Sequence, residues 1–254
     1  MISLKQRTIN KELTVGSWIT LAHPAIAEIM ARAGFDWLVV DLEHSVITIR
    51  EAEELIRVID LCGVAPLVRL AANDPVQIKR VMDAGAHGVI VPMVNSAEEA
   101  RRAVEAVRYP PDGRRGVGLA RAQGYGANFD QYKEWVNKAS IVIVQVEHIK
   151  AVENLGAIMS VEGVDGFIVG PYDLSGSLGI PGQFEHPLMI DAMGRIHAFA
   201  KTSAKVSGYH VVEPVVEQLH KRVQEGYRFL AFSVDFRILD TCCRSSIKNI
   251  REKI

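Results

Sequence analysis

The polar residues that could do chemistry in this 254-residue chain fall in a few short clusters. Asp41, Glu43 and His44 follow one apolar run, Arg69 ends another, Gln145 and Glu147 close a third, and Tyr172 and Asp173 follow a fourth. Gln145 and Glu147 share parity, so both project from one side of an extended strand. A carboxylate closing an apolar strand is costly to bury unless it is paired or meets a cation. Glu147 and Asp173 together offer two hard oxygen donors, which suit Mg²⁺ or Mn²⁺ better than zinc. The spacing equally allows Glu147 to form a buried ion pair with Arg69, and both readings stay open. His44 carries the one type of side chain here that is ready to move protons near neutral pH. Arg69 keeps its proton, so it can hold a carboxylate, stabilise a developing enolate, or serve as counter-charge for Asp41 or Glu43.

Absences narrow the chemistry further. An imine-forming aldolase needs a lysine at a strand end, but Lys79, Lys150, Lys201, Lys205, Lys221 and Lys248 fall in helical or pre-strand segments. No P-loop or G-x-G-x-x-G is present, and the ends of the last two apolar runs read HVVEP and SVDF, without the glycines of a phosphate loop. Cys62 stands alone and Cys242 and Cys243 are adjacent, which is neither a disulfide framework nor a zinc spacing; the adjacent pair is expected to be buried packing. Lys and Arg number 29 against 30 Asp and Glu, for a net charge of −1, which excludes a nucleic-acid-coating surface and a polybasic membrane patch. No apolar run approaches the roughly 18 residues of a membrane span, and the first residues lack the apolar core of a secretory signal. A cytoplasmic protein is expected.

The elements that must position these residues repeat from end to end. Strand-like runs occupy 16–21, 37–41, 66–70, 88–94, 140–147, 166–170, 206–212 and 229–234, with amphipathic stretches between them. Thr48 with Glu51 and Ser96 with Glu99 read as capping boxes, and Asp74 before Pro75 as an N-cap. Eight strand-then-helix units in about 250 residues predict a single-domain α/β protein, a (β/α)8 TIM barrel over 1–254; a doubly wound sheet is the alternative. The segment 109–138 is the one long interruption, and a functional loop on the active face is expected there. Residues 238–254 form an apolar–basic helix longer than a barrel needs.

The chain resembles the HpcH/HpaI family of metal-dependent pyruvate aldolases along nearly its whole length. The resemblance rests on Gly16–Ser17–Trp18, Asp41–Leu42–Glu43–His44–Ser45, Pro66 to Arg69, Val91 to Val94, the stretch GLARAQGYG from Gly118, Gln145 with Glu147, and Gly170–Pro171 with Asp173–Leu174–Ser175. It implies a divalent cation (Mg²⁺, Mn²⁺ or Co²⁺) bound by Glu147 and Asp173. It further implies substrate contacts from Gln145, Tyr172 and Asp173, His44 as general base and Arg69 as transition-state stabiliser. Tyr172 stands where the family usually has alanine, which keeps a backbone contact but narrows the pocket mouth. The family also assigns an acid at the position of Asp83; the pattern puts that residue at a helix end before the fourth strand, so a neighbouring subunit or a loop path would have to bring it to His44. The implied reaction is reversible cleavage of a 4-hydroxy-2-oxo acid, a 2-keto-3-deoxy sugar acid or a hydroxy-oxo diacid, to pyruvate and an aldehyde through a stabilised enolate. The aldehyde half is expected to extend towards Arg121–Tyr125 and Tyr172. Oxaloacetate decarboxylation and malyl- or citramalyl-thioester cleavage are variants, and a non-catalytic barrel that binds a 2-oxo acid is the reading from another class. The resemblance implies a homo-oligomer, a hexamer, with 238–254 packing between subunits.

Overall fold

β-branched and aromatic residues crowd the eight short runs, and in the computed structural model, which describes residues 2–253, each run is a strand paired in parallel with the next. The strands are β1 (Thr14–Ile19), β2 (Trp37–Asp41), β3 (Ala65–Arg69), β4 (Gly88–Val91), β5 (Ile141–Val146), β6 (Gly166–Val169), β7 (Val206–Val211) and β8 (Phe229–Val234). β8 pairs back onto β1 and closes the barrel, so the open-sheet alternative is excluded. Closure leaves no sheet edge and buries both faces of the strands, which is why the runs are apolar throughout.

Helices α1 (Leu4–Ile9), α2 (Pro24–Arg32), α3 (Ile49–Leu61), α4 (Pro75–Ala84), α5 (Ala97–Val107) and α6 (Phe129–Ala139) belong to the first half. The second half contributes α7 (Ile149–Glu153), α8 (Leu155–Ser160), α9 (Pro171–Ser177), α10 (Pro187–Thr202), α11 (Val216–Gln224) and α12 (Asp235–Arg251). The expected Thr48–Glu51 capping box is present, and Asp74 accepts from the Val76 amide at 2.9 Å. Ser96 caps α5, but the Glu99 carboxylate takes the Asn95 amide instead of closing the box on Ser96. No helix among the described residues is long and apolar enough to cross a membrane.

Two corrections concern ends of the chain's elements. The segment 109–138 does not lie on the face formed by the strand ends. It follows α5, which has already run back to the strand starts, and it includes α6. There Arg115 pairs with Asp83, Arg121 with Asp60 at 2.7 Å, and Gln123 donates to the Tyr109 hydroxyl at 2.9 Å. Counting a long gap from β4 hid the helix that reverses the chain's direction. Cys242 and Cys243 are exposed rather than buried, because α12 buries only Asp235 among its residues. The helix begins directly after β8, at Asp235 rather than Ile238, and leaves Phe236, Leu239, Ile247 and Ile250 in solvent.

The end opposite the polar cluster is sealed. α1 lies across it, with Lys5 bonded to the Ser140 carbonyl at 3.0 Å and to Asp165 at 3.1 Å, and Arg7 to Asp36 at 2.5 Å. Inside, Trp37 stacks on Phe229 with ring centroids 4.2 Å apart and planes 4° apart. Gly16 makes room for that indole: a Cβ there would stand 2.0 Å from the Trp37 ring. A Gly16→Ala protein is therefore expected to be less stable by about 1–3 kcal/mol, as overpacked cores are. Urea denaturation reads this as a lower midpoint; an unchanged midpoint would mean that the ring yields freely.

Candidate active site

Each cluster singled out in the sequence lies at the C-terminal end of a strand, where side chains facing inward have no further layer to cover them. Asp41 and Arg69 are register partners on β2 and β3. Arg69 Nε and Nη2 donate to the two Asp41 oxygens at 2.9 and 2.5 Å, and Nη1 stands 3.4 Å from Glu43. The guanidinium also lies over the Trp18 ring, 4.4 Å from its centroid. Burial opposes the charged form of Asp41, but the Arg69 fork and the amides of Glu43 and His44 outweigh it and hold this carboxyl below its usual range. The counter-charge reading of Arg69 is what the geometry contains, whereas a Glu147–Arg69 ion pair is not formed.

Glu147, one residue past β5, instead accepts from the Met93 amide at 2.5 Å and from the Gln145 side chain. Met93 donates from a left-handed backbone conformation, φ 52°, unusual for a residue with a side chain. Burial first, then the nearby charge of Glu43, and also Asp173, push the Glu147 carboxyl up to about 7. Glu43 is likewise pushed up to about 7, by burial first, with Asp41 and Asp173 adding to it against Arg69. Glu43 Oε2 and Gln145 Oε1 are buried without a hydrogen-bond partner. Asp173 sits exposed in the first turn of α9.

Asp41, Arg69, Gln145 and Asp173 line a cavity of about 360 Å³, together with Trp18, His44, Tyr172 and His210. A larger one of about 640 Å³ lies at the sealed end beside α1 and contains none of the cluster. His44 is exposed, its Nε2 3.9 Å from Glu43, on a turn fixed by the Asp41 carboxylate and by Ser45, whose hydroxyl donates to the Asp41 carbonyl. Tyr172 packs edge-on against Phe184 at the rim, 5.0 Å between centroids. Asp83 is not brought to this cavity within the chain: it lies at the end of α4, before β4, paired with Arg115. The stretch Arg121–Gln123 is at that same far end, bonded to Asp60 and the Ala84 carbonyl, so it cannot receive the aldehyde half in its own subunit. Among the described residues no lysine lines the cavity.

The donor set fits a hard divalent cation. Among the described residues no three His, Cys, Asp or Glu side chains form a ready cluster. An ion held by Glu147 and Asp173 alone would take its remaining ligands from water and substrate, as is usual for Mg²⁺. Acids that burial and mutual repulsion hold partly protonated are what such an ion would relieve. Sequence reasoning passed over His210, although it shares inward parity with Val206 and Gly208 on β7, and the role of the Met93 amide, which no side-chain pattern signals.

Comparison with known proteins follows this geometry. Residues 14–240 match the profile of the HpcH/HpaI aldolase/citrate lyase family. A 4-hydroxy-2-oxo-heptane-1,7-dioate aldolase from Salmonella typhimurium is 40% identical over 89% of this chain and 85% of its own. A 2-keto-3-deoxy-L-rhamnonate aldolase from Salmonella gallinarum is 39% identical over 87% and 82%. The crystal structure of an HpcH/HpaI aldolase/citrate lyase family protein from Burkholderia cenocepacia superposes with a TM-score of 0.92 at 34% identity, covering 98% of each chain.

The raised carboxyls carry a sign for stability. With Glu147 and Glu43 raised from 4.5 to about 7, the stability they contribute is complete below pH 4.5 and is lost as pH rises through 7. In chelator, Glu147→Gln is expected to stabilise the protein at pH 8 by about 1–3 kcal/mol and to have a much smaller effect at pH 4. Denaturation at the two pH values measures the difference; equal effects would contradict the electrostatic crowding.

Proposed function

The chain belongs to the HpcH/HpaI aldolase/citrate lyase family and is a carbon–carbon lyase of the aldolase kind, and we propose that it reversibly cleaves a 4-hydroxy-2-oxo acid to pyruvate and an aldehyde at the cavity lined by Asp173, Arg69, His44 and Gln145, the last of them bonded to Glu147. The observation that carries the assignment to this site is the gathering of Glu43, Glu147 and Asp173 around one arginine, an excess of negative charge suited to a divalent cation. Held by Glu147 and Asp173, a cation such as Mg²⁺, Mn²⁺ or Co²⁺ supplies the polarisation of the 2-oxo group that a lysine imine supplies in other aldolases.

The chain's own residues do the rest. His44, free of any tight ion pair and open to the cavity, takes the proton from the C4 hydroxyl directly or through a water. The C4–O electrons become the aldehyde carbonyl, the C3–C4 bond breaks, and its electron pair moves into the 2-oxo group. Arg69 meets the charge that collects on that oxygen; its fork is already fixed by Asp41, so little reorganisation accompanies the step. Gln145 donates to Glu147 and keeps a buried carbonyl oxygen without a partner, and the Tyr172–Asp173 backbone at the start of α9 faces the substrate carboxylate.

A complete site takes more than one chain in this reading. α12 presents Leu239, Ile247 and Ile250, and the loop before α6 presents Val117, Leu119 and Tyr125, all exposed, as contacts for further copies in a homo-oligomer. Asp83 reaches a His44 only across such a boundary.

Two experiments test this. Pyruvate release from 2-keto-3-deoxy sugar acids and 4-hydroxy-2-oxo diacids is expected to vanish on chelation, to return with Mg²⁺, Mn²⁺ or Co²⁺, and to be absent in Glu147→Gln. In His44→Ala, kcat is expected to fall about 10²–10⁴-fold. Pyruvate release that survives chelation would sink the cation assignment. Co-refolding His44→Ala with Asp83→Ala is expected to regain part of the activity that each lacks, because one shared site of the mixed oligomer is intact; no recovery would place Asp83 outside the reaction.

A further inference from the structure

The wall of the cavity opposite the acids comes from β6, β7 and β8, and it is apolar at Ile168, Val212, Val234 and Phe236. One polar side chain interrupts it. His210 projects inward near the end of β7, its ring 5.2 Å from Trp18 and tilted 53° to it. Its Nε2 lies 3.2 Å from the carbonyl oxygen of Ser233, a residue held at φ 55°. A carbonyl only accepts, so Nε2 carries the proton and Nδ1 presents a lone pair. Among the described residues that lone pair has no hydrogen-bond partner. Burial foremost, and then the charge of Arg69, push the imidazole down to about 3, so it adds no positive charge to the cavity at neutral pH.

Among the described residues Arg69 is the one permanent cation lining the cavity, and it is engaged by Asp41 and Glu43. A second carboxylate on the substrate would find no free cation among the residues that line this cavity. A hydroxyl would find in this apolar wall an acceptor that no protein group occupies, whereas a substrate without that hydroxyl forgoes the hydrogen bond.

We propose that His210 sets substrate choice: Nδ1 accepts a hydrogen bond from a hydroxyl on the carbon beyond C4, so the enzyme favours 2-oxo acids with a neutral, hydroxylated aldehyde half over those ending in a second carboxylate. This rests on the aldolase reading of the cavity and extends it to the class of substrate. His210 takes no proton in the cleavage; it is a specificity-determining residue that holds the departing aldehyde.

A matched pair of substrates tests the inference on the full-length, metal-loaded protein. 2-Keto-3-deoxy-L-rhamnonate has the C5 hydroxyl, and 4-hydroxy-2-oxohexanoate differs only in lacking it. The unaltered enzyme is expected to cleave the first with kcat/KM about tenfold higher, the effect of one hydrogen bond, and to disfavour 4-hydroxy-2-oxoheptanedioate similarly. In His210→Leu the ratio for the matched pair is expected to fall to about one, mainly through KM, whereas His210→Gln, which keeps an acceptor, retains part of it. Both rates come from one preparation, so the ratio does not depend on how much of a variant folds. An unchanged ratio in His210→Leu, or an unaltered enzyme that prefers the diacid, overturns the proposal. Failure of the underlying aldolase reading looks different: the unaltered enzyme then releases pyruvate from none of the three acids.

Discussion

The bidentate pair between Asp41 and Arg69 is the interaction on which the site depends. Neither charge could be buried alone at the top of an apolar barrel without a cost of several kcal/mol. Together they fix the guanidinium over Trp18, and Asp41 uses its spare capacity to hold the amides that begin the His44 turn. His44, Arg69 and Glu43 are thus placed by one carboxylate. Their spacing is inherited from strand pairing, because Asp41 and Arg69 are direct register partners.

The second constraint is an unbalanced one. Asp41 spends most of the positive charge of Arg69, and Glu43, Glu147 and Asp173 are left to repel one another in a partly buried space. The left-handed Met93 contributes its amide to one of them, and Gln145 contributes its side chain. These hydrogen bonds orient Glu147 without neutralising it. A carboxylate that is held rigidly yet remains short of positive charge is suited to accept a cation with little rearrangement.

Much of this was legible in the chain. The period of strand and helix gave the barrel because closure buries both strand faces and so removes the usual polar alternation. Asp41, Arg69, Gln145 and Glu147 stood out because acids and a cation at the ends of apolar runs need a reason. Other features were hidden for physical causes. The place of 109–138 follows from counting α5, which carries the chain back to the strand starts, and α6 within it is masked because Gln131, Lys133, Glu134, Asn137 and Lys138 dilute its apolar stripe. Asp83 has a partner 32 residues away, Arg115, which no local pattern announces. His210 was passed over because a histidine among valines looks like packing until the Ser233 carbonyl fixes which nitrogen is free.

The cavity wall also divides by strand of origin. Asp41, His44, Arg69, Gln145 and Asp173 come from β2, β3, β5 and the turns after β2 and β6, whereas the apolar wall with His210 is completed by β7 and β8. No hydrogen bond joins the His210 side chain to the acid cluster. Substitutions on the last two strands can therefore reshape one wall of the cavity while the Asp41–Arg69 pair and the hydrogen bonds of Glu147 stay as they are. For a lineage that keeps this fold, the two halves of the cavity are free to evolve at different rates.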